Sequence, residues 1–83
     1  MTISEKAYSV ETREDFQVFL RVLAEDFRVH GEKWENAHLG RYLEALAAWA
    51  EDMDGYFRNR GETAPSPSWR LFAQMLVAAR VYE

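Results

Sequence analysis

The densest run of potential oxygen ligands in the chain is Glu51-Asp52-Met53-Asp54-Gly55. An EF-hand loop needs oxygen ligands at positions 1, 3, 5 and 12 and a glycine at position 6. Counted from Asp52, the glycine falls at position 4, and Tyr56 and Phe57 occupy positions 5 and 6, so the pattern fails. The run reads instead as a solvated helix face with Met53 turned inward, the ordinary place for a charge run. His30 and His38 stand eight apart across a loop, and neither a HExxH motif nor a cysteine supplies the further ligands zinc requires. Ser4, Ser9, Ser66 and Ser68 have no adjacent base in a nucleophile motif. Carboxylates are plentiful, but no spacing selects a general acid/base dyad. No glycine loop of phosphate-cradling form is present. These patterns point to a protein that is not an enzyme and uses no metal or cofactor.

Recognition is the remaining chemistry. Three Trp, four Tyr and five Phe make 14% of 83 residues. Each buried aromatic removes roughly 150–250 Å² from water, so Trp34, Trp49, Trp69, Tyr42, Tyr56, Phe57 and Tyr82 exceed what so small a core encloses. Some of them form the core boundary or a partner surface, because Trp and Tyr are favoured interface anchors. The candidate patch is Trp34, Tyr56 and Tyr82, which lie at element ends, with an acidic rim of Glu35, Glu51, Asp52 and Asp54 that favours a basic partner. Trp34 also has a plainer reading, as the residue that anchors its loop into the core.

The elements that must position these side chains follow from periodicity. Leu39, Tyr42, Leu43, Leu46, Trp49, Ala50, Met53, Tyr56 and Phe57 recur at helical steps over about six turns. They predict a long helix over 37–59, capped by Asn36, which organises the rest as its central element. Asp54 and Arg58 are spaced to pair on it, and Gly55 is read as interrupting neither helix nor stripe. Before it, Thr12 caps a helix over 13–29 with the stripe Phe16, Phe19, Leu20, Leu23 and Phe27, an Arg21–Glu25 pair, and Gly31 as a left-handed stop. After it, Gly61 to Ser68 is the one Pro/Ser-rich loop. Ser66-Pro67 then opens a third helix over 67–81, with Ser68 as a competing cap. Residues 1–10 are too sparsely apolar for a helix and are expected as an extended arm, with Tyr8 and Val10 tucked against the first helix.

Charge and length bound the rest. Fourteen acidic and ten basic residues leave a net charge of −4, divided as −2 over 1–30, −3 over 31–62 and +1 over 63–83. No basic patch suits phosphates, so direct nucleic-acid binding is not expected. No apolar run of membrane-spanning length or signal-peptide form occurs, and a cytoplasmic protein is expected. Without cysteine there is no disulfide to support the fold.

The strings Trp34-Glu35-Asn36, Tyr42-Leu43-Glu44-Ala45-Leu46-Ala47-Ala48-Trp49, Glu51-Asp52-Met53-Asp54-Gly55-Tyr56 and Pro67-Ser68-Trp69 are distinctive in their order. With the closing Ala79-Arg80-Val81-Tyr82-Glu83, they resemble a family of small bacterial domains of unknown function over about residues 12–83. Phe57 stands where a second tyrosine is expected. The resemblance implies a stand-alone bacterial cytoplasmic protein and brings no catalytic residue.

The sequence therefore predicts an all-α fold, a compact three-helix bundle with a short extended N-terminal arm, as one domain over 1–83. Its expected role is a small protein-interaction module, of inhibitor or immunity type by analogy of class, that binds a basic protein. An acidic mimic of nucleic acid and a structural homodimer are the alternatives.

Overall fold

The computed structural model describes residues 1–63 and 65–82. Ala64, within the proline loop, and Glu83, within the closing motif, lie outside the described residues. The fold is all-α. In order, α1 spans Ile3–Tyr8, α2 Arg13–His30, α3 Leu39–Asn59 and α4 Trp69–Ala78, and a 3₁₀ turn at Gly31–Lys33 follows α2.

The expected N-terminal arm is a helix. Thr2 caps α1 by accepting from the Glu5 amide at 3.1 Å, while the Glu5 carboxylate accepts from the Thr2 amide at 3.0 Å. This reciprocal box holds a helix too short to persist on its own amide bonds. Its hydrogen bonds to Thr2 hold the Glu5 carboxyl below the usual carboxylate range. Burial of Ala7, and of Val10 just beyond, supplies the rest. Of the two residues expected to tuck in, Val10 does and Tyr8 stays exposed. Thr12 caps α2 in the same way with Asp15.

The helix stops also differ from expectation. Gly31 is in the right-handed region and continues into the 3₁₀ turn, where a Cβ would lie 3.2 Å from the Phe27 ring. The left-handed glycine is Gly61, at φ 75°. Its amide reaches Arg58 O at 3.0 Å and the Glu62 amide reaches Phe57 O at 2.8 Å, the paired bonds of a Schellman stop. α3 runs unbroken through Gly55, and its N-cap is His38 rather than Asn36. α4 starts at Trp69 because Ser68, not Ser66, accepts from the Leu71 amide at 3.0 Å. Glu25 pairs with Arg28 rather than Arg21, and no Asp54–Arg58 pair forms among the described residues.

The largest correction concerns the centre of the bundle. α1, α2 and α3 each pack on α4, whereas α3 packs on neither α1 nor α2 among the described residues. α4 is apolar nearly all round, with only Arg70 and Gln74 polar, and such a helix belongs inside. One core cluster joins Ala7, Val10, Phe19, Leu23, Ala73 and Val77, where α1 and α2 meet α4. A second joins Trp49, Phe57 and Leu71, where α3 meets α4. Ala73, wholly buried at the first seam, lets α1 approach closely.

Because α2 and α3 do not pack together, the connector between them sets their relation. The Trp34 indole N–H donates to Asp26 Oδ2 at 2.7 Å, and its ring stacks on Tyr42 with centroids 5.8 Å apart. Arg80 lies over the Trp34 ring, 5.8 Å from its centroid, and reaches Asp26 at 3.4 Å. Asn36, freed from the expected capping role, donates through Nδ2 to Ala79 O at 3.0 Å and Tyr82 O at 2.8 Å, and its amide donates to Arg80 O at 2.9 Å. Asn36→Ala is expected to destabilise the fold by about 1–3 kcal/mol, since it strips the donor from two carbonyls. Gly55→Ala is expected to stabilise by about 0.5–1 kcal/mol, because an added Cβ meets nothing within 4 Å. Urea unfolding of the two variants measures both; an Asn36→Ala midpoint equal to wild type would remove the connector from this role.

Candidate functional site

The residues predicted as a partner patch do not form one patch. Trp34 is half-buried and engaged inside the fold, between Tyr42, Phe27 and Arg80. Glu35 is exposed on the connector. Asp52 and Tyr82 are brought together, the Tyr82 hydroxyl donating to the Asp52 carboxylate. That bond holds the phenol proton and raises the Tyr82 pKa from its ordinary value. Glu51 and Asp54 are exposed on the outer arc of α3, which they share with Glu44, Arg41 and Arg58. Tyr56 stands apart from these, on the wall of a cleft.

A larger surface feature is apolar and has a helical spacing. Leu39 and Leu43, one turn apart at the start of α3, are 73% and 53% exposed, and the next residue in the row, Ala47, is exposed too. The sequence stripe contains both leucines, but in the first turns of α3 it is Tyr42 that reaches α4, through its hydroxyl to Leu76 O, and the two leucines stay in water. The whole chain exposes 5893 Å². The scaling for folded monomers gives about 5100 Å² at this mass. The surplus of about 800 Å² equals one partner's share of a standard interface. The radius of gyration, 12.6 Å, also exceeds the compact expectation of about 11.8 Å for this length.

The cleft, of about 1020 Å³, is part of that openness. It lies between α1 and the second half of α3, which both rest on α4 without touching each other. Tyr8 forms one wall, with the Arg70 guanidinium 5.0 Å from its ring centroid. Tyr56 forms the other, with Arg60 at 5.5 Å from the ring and 3.3 Å from the hydroxyl. Arg70 is fixed by Val10 O at 3.1 Å and by exposed Glu11 at 3.4 Å. Val77, Ala78 and Trp49 give an apolar floor, and Gln74 stands among them. Sequence reasoning missed Tyr8, Arg60, Arg70 and Gln74. The available signal was Thr2-x-x-Glu5, the capping signature that makes the N-terminus a helix and so a wall.

Residues 12–83 match a family of unknown function, DUF7660. The chain belongs to that family. The match starts at Thr12, the cap of α2, so α1 lies outside it. No curated protein and no solved structure matches the chain. Among the described residues, no group of three His, Cys, Asp or Glu side chains is placed to hold a metal ion, and no helix is long and apolar enough to cross a membrane.

One titration in this region is strongly displaced. The Tyr42 hydroxyl donates to Leu76 O at 2.6 Å under the connector, and burial pushes its pKa up to about 12 from 10.0. Above pH 10 the unfolded chain gives up this proton before the folded chain does, so folding stability falls as the pH rises. Tyr42 therefore contributes fully below pH 10, and its contribution is lost between pH 10 and about 12. Tyr42→Phe is expected to flatten that decline and to destabilise by about 0.5–1.5 kcal/mol at neutral pH. Urea unfolding as a function of pH tests this; an unchanged alkaline slope would assign the loss to other groups.

Proposed function

We propose that the chain is a small, non-enzymatic protein-interaction module that presents the outer face of α3 to another protein. The observation that carries this reading is the exposed row of Leu39 and Leu43. Two branched side chains one turn apart on a helix are the usual anchors of a helix lying in an apolar groove. Such a row, left in water, supports a partner site on this face.

Charge gives the partner its character. Glu44, Glu51 and Asp54 border the leucine row on α3, on a chain of net charge −4. A basic rim around an apolar groove complements that face and speeds encounter. Blocking such a partner, as an inhibitor or immunity-type protein does, is the form of activity this surface suits. Self-association through the same leucines is the second reading, supported by the same exposure. It has to bring together two chains of like charge. A mimic of nucleic acid is less well served, because Arg41 and Arg58 interrupt the carboxylates.

The test is capture of the tagged protein's partner at low and high salt, beside the double variant Leu39→Ser, Leu43→Ser. Both side chains are solvent-exposed, so the variant is expected to keep its far-ultraviolet dichroism and melting temperature. We expect a basic partner, retained by the wild type, weakened by salt and lost in the variant. Capture that is equal in both proteins would sink the proposed face. A wild-type chain that scatters light as a dimer, and a variant that scatters as a monomer, would decide for self-association.

A further inference from the structure

The cleft between α1 and α3 has a chemistry the leucine row lacks. It is large for this chain, at the upper end of the roughly 300–1,000 Å³ range of small-molecule sites. Tyr8 and Tyr56 stand on its walls and Trp49, Val77 and Ala78 on its floor, and Glu62, Thr63 and Ser68 add polar groups from the loop after α3. Each of its two cations lies over a tyrosine ring, Arg60 at 5.5 Å and Arg70 at 5.0 Å from the ring centroid.

The two arginines are not equivalent. Arg70 already has a carboxylate, Glu11, and a backbone carbonyl. Arg60 has no ion-pair partner among the described residues, and its one protein hydrogen bond there is the long contact to the Tyr56 hydroxyl. Its remaining N–H groups make no hydrogen bond among the described residues. Gln74, half-buried on the floor, likewise makes no side-chain hydrogen bond among the described residues. Glu62, the other carboxylate on the lining, is exposed at the rim. An anion with two in-plane oxygens matches the unused edge of Arg60. A flat apolar body behind that anion has the Tyr8 and Tyr56 rings and the apolar floor to pack against, where a ring is favoured over a charged chain.

We propose that this cleft is a binding site for a carboxylate carried on an aromatic or flat apolar body, with Arg60 as the anion seat, Tyr56 and Tyr8 as the walls and Gln74 as the orienting amide. A free aromatic acid and the carboxy-terminal residue of a peptide present the same chemistry. The site is independent of the α3 leucine row, since neither leucine lines it.

The experiment is titration of the isotope-labelled full chain with phenylpropionate, with neutral phenylpropionamide, and with a glycine-rich peptide ending in phenylalanine with either a free or an amidated terminus. Binding is read from amide shifts and from tryptophan emission. We expect the acid to shift resonances of Tyr56, Gly61 and Gln74. The amide is expected to bind about tenfold more weakly or worse, the worth of a charge-assisted hydrogen bond. Arg60→Ala should weaken the acid by the same factor and leave the amide unchanged, Arg60→Lys should recover part of the loss, and Arg58→Ala, on the outer arc, should change nothing. A preference for the acid over the peptide would assign the site to free small molecules, and a preference for the free-terminus peptide would assign it to chain ends. Equal binding of acid and amide, shifts confined to other surfaces, or no saturable shift at millimolar acid would each overturn the proposal.

Discussion

The bundle depends on how the carbonyls at the end of α4 are satisfied. The last turn of any helix leaves carbonyl groups without amide partners, and when that end is covered the donors must come from elsewhere. Here the amides of Ala79, Arg80, Val81 and Tyr82 serve Met75, Val77 and Ala78, while Leu76 and the carbonyls just beyond the helix take donors from the first turn of α3 and from the connector before it. Tyr42 serves Leu76, and Asn36 serves Ala79, Arg80 and Tyr82. These bonds tie residues thirty or more positions apart, and they do so at the one place where α2 and α3 need a common reference. The Asp26–Trp34–Arg80 group then locks the connector onto α2 from the other side. Since α2 and α3 share no packing of their own among the described residues, the angle between them is set by polar geometry at the end of a third helix rather than by interdigitated side chains.

That arrangement explains which parts of the fold were legible in the sequence. The all-α class, the course of α2 and the continuity of α3 through Gly55 follow from period and capping, which are local. The hub was misplaced because length and stripe regularity favour α3, whereas centrality depends on how much of a helix's circumference is apolar. α4 carries that signal in Met75 and Ala78, which fill the arc a surface helix leaves polar. Asn36 was read as a cap because Asn is a good cap. Its actual partners, forty-three and forty-six positions on, have no local signature.

The site was less legible than the fold, for a related reason. Aromatic excess correctly indicates that some rings remain at the surface, but not which ones. Trp34 was drawn inward by a carboxylate on α2 and a guanidinium on the segment after α4. Tyr56 remained outside because α1, the element opposite it, packs on α4 and never reaches α3. Leu39 and Leu43 belong to the same apolar stripe as Tyr42, yet Tyr42 reaches α4 while the two leucines stay exposed. A stripe shows where a helix can be buried, whereas the placement of its neighbours decides how much of it is.

The same geometry separates two surfaces of opposite character. The outer arc of α3 joins exposed leucines to carboxylates, while the cleft between α1 and α3 joins tyrosines to guanidiniums. Both exist because three helices share one support and two of the three possible contacts between them are missing. The cleft also joins parts with different standing in the family. Tyr56, Arg60 and Arg70 lie within residues 12–83, but Tyr8 and the helix that carries it do not. α1 covers Ala73 and Val77, which would otherwise meet water, and in doing so raises the second wall of the cleft. The segment outside the family match thus completes both the core and the cleft, so any ligand held between Tyr8 and Tyr56 also stabilises the docking of α1.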